Sequence, residues 1–521
     1  MAIVPCCIGL KQTIAAHLTH LVINREAWVT LESHPPERMP RQSKALLQQL
    51  PSPMATQNPV GMPLIQNGSP VPRGQQPAAD QRPPQRTPAQ PPLEANLIGT
   101  NGADNLTGDA SNNAYSAGSG DDLLMASTAN DSISGGSGYD ILDYSRVNAD
   151  LNLARGGVLT KSGDLGTDTI TGFDIEEIRA NARRVNTIDG STGTTASLDV
   201  DLSANRLTIK GLPGIGSASL KVVNFQNVNG SENGDLIVGD DNANVLDGKG
   251  GNDTINGGGG DDTLIGSSGT DTYRGGSGFD TLSYENSATG VTLVRGGTVV
   301  KADGSVDTVA DFSVEAVVGA RGTTNTIDGT TGTTASLSVD LSKESLTINN
   351  LPFVGTAQLV VKNFTDVKGS ENADVITGSN GANALNGAGG DDVLNGLGGS
   401  DLLTGGAGND IFVIGRGDSL LNGFDRITDF VIGSDRIDGL TAQSSVRQLA
   451  GVQSLGARDI GQVLNNQTFG ANSAATFTLG TGGGSRTFLA LNDNQNGFQA
   501  NSDSIVEITG FSGNLNNLAI I

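Results

Sequence analysis

Histidine, cysteine and large aromatic side chains are nearly missing from this chain of 521 residues. The three His stand at positions 17, 20 and 34, so no H-E-x-x-H zinc motif occurs and none is available later to serve a Ser-His-Asp triad. The G-x-S-x-G nucleophile elbow is missing too. The only cysteines, Cys6 and Cys7, adjoin each other, which leaves no disulfide framework. Aromatics make up 4% of the chain, too few for the core of a large compact domain. Basic residues are outnumbered, 31 Lys and Arg against 55 Asp and Glu, for a net charge of −24. The first 95 residues hold eight of the bases and five of the acids, so about −27 falls on the remainder. No nucleic-acid surface is expected on such a chain. The apolar stretch near the start is broken by Lys11, His17 and His20, so neither a transmembrane segment nor a cleaved signal peptide is expected there.

Glycine, by contrast, accounts for 74 residues, and its placement is periodic. Gly230, Gly239, Gly248, Gly257, Gly266 and Gly275 stand nine apart. An acid or amide follows each by five positions: Asp235, Asn244, Asp253, Asp262, Asp271 and Asp280. An apolar residue follows by seven: Ile237, Leu246, Ile255, Leu264, Tyr273 and Leu282. The unit is G-G-x-G-x-D-x-U-x, with U apolar. Its glycine half is a turn and its second half a very short strand with one side chain inward. Two units then make one coil of a flattened parallel β-roll, and acids on the same edge recur every second unit. Successive coils lie about 4.8 Å apart. Carboxylates stacked at that spacing repel by about 1 kcal/mol per pair in water, and more where water is excluded. A hard divalent cation with oxygen ligands removes that repulsion, and calcium suits carboxylate and carbonyl donors in flexible geometry. Zinc is disfavoured, because no Cys or His lies in the arrays.

The array occurs three times. A third copy starts at Gly369, with Asp374, Asn383, Asp392, Asp401 and Asp410 in the acid position. A first, degenerate copy starts at Gly99, with Asp104, Asn113, Asp122, Asp131 and Asp140; Ala117 and Ala126 replace the leading glycine there, which puts its middle turns in doubt. Asn113, Asn244 and Asn383 bring no charge and are expected to be weaker calcium ligands. The best-formed cation positions are expected between Asp253 and Asp271, Asp262 and Asp280, and Asp392 and Asp410. Between the arrays lie two copies of one longer segment; NTIDGSTGTTASLDVDLS from Asn186 returns as NTIDGTTGTTASLSVDLS from Asn325. Their short alternating runs read as strands, either continuing the stack or forming sandwich inserts.

The resulting organisation is all-β. Residues 1–95 are a Pro/Gln-rich extension expected to be disordered, within which Met54 offers a plausible second start. Residues 96–143, 230–283 and 369–413 are arrays, and 144–229 and 284–368 are β modules. Residues 414–440 close the roll, and 441–521 form a β-rich C-terminal cap domain. The nonapeptide resembles the RTX (repeats-in-toxin, haemolysin-type) calcium-binding repeat. GFDRITDFVIGSDRIDGL, from Gly423, resembles the segment that closes the β-roll in secreted RTX proteases. The last eighty or so residues resemble the bluetail domain of cyanobacterial surface proteins. These resemblances imply export through type I secretion machinery, with an uncleaved signal at the C-terminus, and a secreted or cell-surface location.

The expected function is that of a non-enzymatic, calcium-stabilised surface or extracellular structural or adhesion protein, with cell-surface or matrix glycans as candidate partners. The alternative is a carbohydrate-active enzyme or other effector carrying RTX arrays. Arg416-Gly417-Asp418-Ser419 matches an integrin-binding tripeptide, but it falls where a Gly-Asp turn is expected anyway.

Overall fold

Strand partners in the arrays stand eighteen positions apart, the length of two repeat units. In the computed structural model, which describes residues 95–521 apart from 194–195, 295–296, 332–334 and 353, Leu236–Val238 pairs in parallel with Thr254–Gly259, and that strand with Thr272–Ser277. On the opposite face Val245–Asp247, Thr263–Ile265 and Thr281–Ser283 do the same. The expected extension over residues 1–94 lies outside the described residues.

Alternation dictates which side chain enters the core. In three-residue strands such as Thr263–Ile265 only the middle residue points inward. Ile237, Leu246, Leu264, Tyr273 and Leu282 are completely buried, and the same stack runs on through Ile376, Leu394, Leu403 and Phe412. A core one side chain thick, renewed at every coil, explains why so few aromatics suffice.

The modules continue the stack. In the first, Ser132–Ser137 pairs in parallel with Thr167–Ile170, which meanders antiparallel through Val158–Lys161 to Leu151–Ala154. Parallel pairing then resumes onto Thr187–Asp189 and Asn227–Asn229. On the other face Ile141–Asp143, Glu177–Arg179 and Gly216–Val223 are joined through Arg206–Leu212 and Ser197–Asp201 to Leu236–Val238. Each module thus replaces simple coils with two three-stranded meanders whose outer strands stay in register with the roll. The second module repeats the plan, through Val291–Val294, Thr298–Lys301 and Val306–Val309 and then Ser336–Asp340, Ser345–Leu351 and Gly355–Lys362.

At the C-terminal end Asp425–Ile427 and Arg436–Asp438 pair onto the last coils of the third array. Ser504–Glu507 then pairs with Asp425–Ile427 and is backed by Arg486–Leu491 and Ala474–Leu479. A second small core of Ile460, Leu464, Phe469, Phe477, Phe488 and Ile505 sits behind these strands and includes the short helix Ala457–Val463. The sheet edge is therefore covered, as an exposed roll end requires. No helix among the described residues is long and apolar enough to cross a membrane.

Candidate metal centre

The sixth-position acids form two ladders, one along each edge of the roll. On one edge of the second array the Asp235 amide donates to Asp253 Oδ1 at 2.8 Å, and the Asp253 amide to Asp271 Oδ1 at 2.9 Å. On the other, the Asn244 amide donates to Asp262 Oδ1 and the Asp262 amide to Asp280 Oδ1. Asp374, Asp392 and Asp410 repeat the pattern in the third array, as do Asn383 and Asp401. In the first array Asp104, Asp122 and Asp140 are linked in the same way, and Asn113 is linked to Asp131. The ladder crosses Ala117 and Ala126 without a gap, so an alanine in the leading position is compatible with the turn in this first copy.

One oxygen of each carboxylate is thereby used; the other decides the chemistry. Oδ2 of Asp122, Asp140, Asp253, Asp262, Asp280, Asp392, Asp401 and Asp410 is buried and has no hydrogen-bond partner. Orphaned buried carboxylate oxygens are rare and costly, and a bound ion is one of the few things that satisfies them. Their neighbours are oxygens as well. A Cβ added to Gly257 would lie 2.2 Å from Asp262 Oδ2 and 2.5 Å from the Gly275 carbonyl; at Gly387 the distances to Asp392 Oδ2 and the Gly405 carbonyl are 2.1 and 2.6 Å. Carboxylate and next-coil carbonyl converge on Gly257 and Gly387, which leaves no room for a side chain at these two leading positions. This donor set of hard oxygens fits calcium. No three His, Cys, Asp or Glu side chains gather into a metal-binding group among the described residues. Each of these turns contributes one buried ladder carboxylate, and the next-coil carbonyl is the further oxygen donor beside it.

Burial, reinforced by the neighbouring acids of the ladder, pushes the carboxyl of Asp253 up to about 8 and that of Asp392 to about 7. Asp140, Asp262 and Asp401 are raised to about 6, chiefly by burial. The roll is thus hostile to the ionised acids it contains unless a cation joins them.

The remaining expected ligands are differently placed. Asp104 stands at the half-exposed start of its ladder and accepts from the Thr100 amide and hydroxyl. Asp235 accepts from the Leu198 amide and from Ser231, and Asp374 likewise from Leu337 and Ser370. Asn244 and Asn383 use Nδ2 as a donor, to the carbonyls of Gln226 and Thr365, each at 2.8 Å. Asn113 Nδ2 donates to the Asp109 and Ser111 carbonyls. Asp131 and Asp271 are engaged by hydroxyls: Ser127 bonds Asp131 Oδ2, and Ser267 and Tyr273 bond Asp271 Oδ2.

The structure also reveals ladder members beyond the nine-residue phase. Asp168, Asp307 and Asp425 receive the amides of Asp131, Asp271 and Asp401. Glu176, Glu315 and Asp435 receive those of Asp140, Asp280 and Asp410. Burial and the nearby Asp401 and Asp418 raise Asp425 to about 8. A signal for the first trio lies in the sequence: D-x-[IV]-x-x-F occurs at Asp168–Phe173, Asp307–Phe312 and Asp425–Phe430, once after each array. Arg416, Asp418 and Ser419 are all engaged within the fold. Arg416 pairs with Asp493 at 2.7 Å, Asp418 accepts from the Gly415 amide, and Ser419 bonds the Ile505 carbonyl.

Comparison with known proteins agrees with this geometry. Residues 96–124, 116–148, 229–264 and 247–282 match the RTX calcium-binding nonapeptide repeat (4 copies). Residues 355–491, which include the third array, match the peptidase M10 serralysin C-terminal family. The chain therefore carries RTX calcium-binding repeats in a parallel β-roll, followed by a serralysin-type C-terminal segment, and calcium is its cofactor. No curated protein matches the sequence. Among solved structures, the extracellular lipase LipA from Serratia marcescens is similar at 15% identity with a TM-score of 0.16, over 55% of this chain and 40% of that one.

Proposed function

We propose that this is a secreted calcium-binding protein that folds on meeting calcium outside the cell, where it serves as a structural or adhesive surface component. The observation that carries the reading is the row of buried, unpartnered Asp Oδ2 atoms between successive coils. Calcium would be held by these oxygens together with turn carbonyls of adjacent coils, and when bound it neutralises the ladder. The chain's own residues do the rest: the glycines let the coils approach, the amide-to-Oδ1 bonds set the register, and the apolar stack excludes water. In a low-calcium cytoplasm the ionised ladders oppose closure and leave a chain that can be threaded through a channel. The serralysin-type segment supports export from the C-terminal end. A non-enzymatic role is favoured by a sequence with no His after position 34 and by arrays that use their acids in ladder bonds. The bluetail resemblance of the last eighty or so residues favours the cell surface.

The test combines export with calcium titration. Deleting residues 441–521 removes Ser504–Glu507 from the covered edge but leaves the second array intact. The truncated protein should retain calcium binding and remain inside the cell. Its normal export, or export that depends on residues 1–53 instead, would refute the type I reading. A full-length protein whose circular dichroism and radius do not respond to millimolar calcium would refute calcium-coupled folding.

A further inference from the structure

Two lysines stand where the ladder arguments place a metal ion. At the exit of the second array, Lys301 Nζ lies 2.7 Å from the Ser267 carbonyl, 2.7 Å from Asp307 Oδ1 and 3.5 Å from Asp271 Oδ2. Asp271 and Asp307 are successive members of one ladder, and Ser267 occupies the second position of the turn leading to Asp271. The ammonium therefore bridges acids of adjacent coils and a turn carbonyl, which is what an inter-coil cation has to do. The other oxygen of Asp307 accepts from the fully buried Tyr284 hydroxyl at 2.6 Å.

The first module repeats the lysine's contacts with the later ladder acid and the turn carbonyl. Lys161 Nζ lies 2.6 Å from Asp168 Oδ1 and 3.1 Å from the Ser127 carbonyl, and its side chain is wholly buried. Tyr144 donates to Asp168 Oδ2 at 2.7 Å. Asp131 Oδ2 is bonded by Ser127, as Asp271 Oδ2 is by Ser267. The third array has the same ladder step, from the Asp401 amide to Asp425 Oδ1 at 3.0 Å, and no lysine there. Asp401 Oδ2 is left without a partner, unlike Asp131 and Asp271. Asp131 and Asp271 thus have a serine hydroxyl on Oδ2 and a lysine at the next ladder acid, whereas Asp401, with Leu397 in the serine's place and no lysine, keeps an orphan.

We propose that Lys161 and Lys301 are built-in counter-ions that take the inter-coil cation position beside Asp131 and Asp271, so that these two coils close without calcium, whereas the Asp401–Asp425 coil requires the metal. This rests on the calcium reading given above. An ammonium suits the position because it offers three donors and a full positive charge on a flexible stem. It is delivered by the meander that each module inserts after its array, through strands Val158–Lys161 and Thr298–Lys301. The third array is followed by no such meander.

The test uses the full-length protein and its Lys301→Met and Lys161→Met variants, with calcium ions as the probe. Bound calcium is counted by equilibrium dialysis, and β content is followed by circular dichroism in chelator and at saturating calcium. Each variant should bind one more calcium per molecule than the parent and lose β signal in chelator, regaining it when calcium is added. Lys301→Arg should keep the parental count. An unchanged count in the folded Met variants overturns the proposal. So does a Met variant that stays unfolded at saturating calcium, since the metal then fails to replace the ammonium. If the parent itself binds no calcium, the fault lies with the functional reading and not with the lysines.

Discussion

Replacing Asp253 by Asn should shift stability in opposite directions with and without calcium. Asp253 is 2% exposed, its Oδ1 accepts from the Asp235 amide, and its Oδ2 is an orphan. Burial first, then Asp271 and Asp235, raise its carboxyl from 3.8 to about 8. At pH 7 the unfolded acid is ionised while the folded one resists ionisation, so the calcium-free fold is penalised. Three pH units at about 1.4 kcal/mol each set a ceiling near 4 kcal/mol, and water reaching the roll edge reduces this to roughly 2–4 kcal/mol. Asn keeps an acceptor for the Asp235 amide and carries no charge, and native Asn244 and Asn383 show that the amide fits a ladder position. Asp253→Asn should therefore stabilise the calcium-free roll by about 2–4 kcal/mol and lower calcium affinity, since a charged ligand oxygen is lost. Denaturant titrations of parent and variant, in chelator and at saturating calcium, measure both effects. A variant less stable than the parent in chelator, or one with undiminished calcium affinity, would show that the orphaned oxygen is neither a liability nor a ligand.

The raised carboxyls also predict a pH dependence. A folded-state value above the unfolded one means that calcium-free stability is greatest near pH 4 and falls as pH rises towards 8, while calcium, competing with the proton, binds more tightly over pH 6–8. Chelated protein with equal β content at pH 4.5 and 8 would contradict this. Asn244→Asp should weaken the array entrance by about 1–3 kcal/mol, because a carboxylate in place of Nδ2 would face the Gln226 carbonyl. Binding of an additional calcium ion by that variant, seen by dialysis, would show that the position is a metal site lacking only charge.

The repeat phase makes the coils legible in the sequence itself. Gly, acid and apolar residue recur in step, and each has one physical job, so Ile237, Leu246 and Leu264 could be placed inside, and Asp253, Asp262 and Asp392 at the edges. Module architecture was less legible. Alternation in LDVDL or RLTIKG identifies strands but carries nothing about whether their partners are parallel coils or antiparallel neighbours; pairing with strands some forty residues away decides that. Lys161 and Lys301 were invisible for the same reason. Nothing local distinguishes them from solvated lysines until the meander folds back onto Ser127 and Ser267. Asp168, Asp307 and Asp425 leave the nine-residue phase, although the D-x-[IV]-x-x-F string that carries them was available.

The amides at the second unit of the later arrays deserve a different reading from diluted metal ligands. Asn244 and Asn383 each follow a module, so the coil before them contributes a free carbonyl, from Gln226 or Thr365. A carboxylate offers that carbonyl nothing but repulsion; an amide hydrogen satisfies it. Within the modules the same solution recurs. Asn186 Nδ2 donates to the carbonyls of Asn181, Arg184 and Asn224, while its Oδ1 accepts the Leu151 amide. Asn325 does the same with Ala320, Thr323, Asn363 and Val291. The edge of the roll thus has one recurring problem, clustered carbonyl oxygens between coils, and three ways of meeting it. An asparagine serves where a carbonyl of the preceding coil has to be satisfied, a lysine serves where a meander can deliver one, and a dissociable cation is needed where a ladder carboxylate keeps an orphaned Oδ2. On that division, calcium dependence follows the orphaned oxygens, which lie within the arrays at Asp122, Asp253, Asp262 and Asp392 and at the array exits at Asp140, Asp280, Asp401 and Asp410.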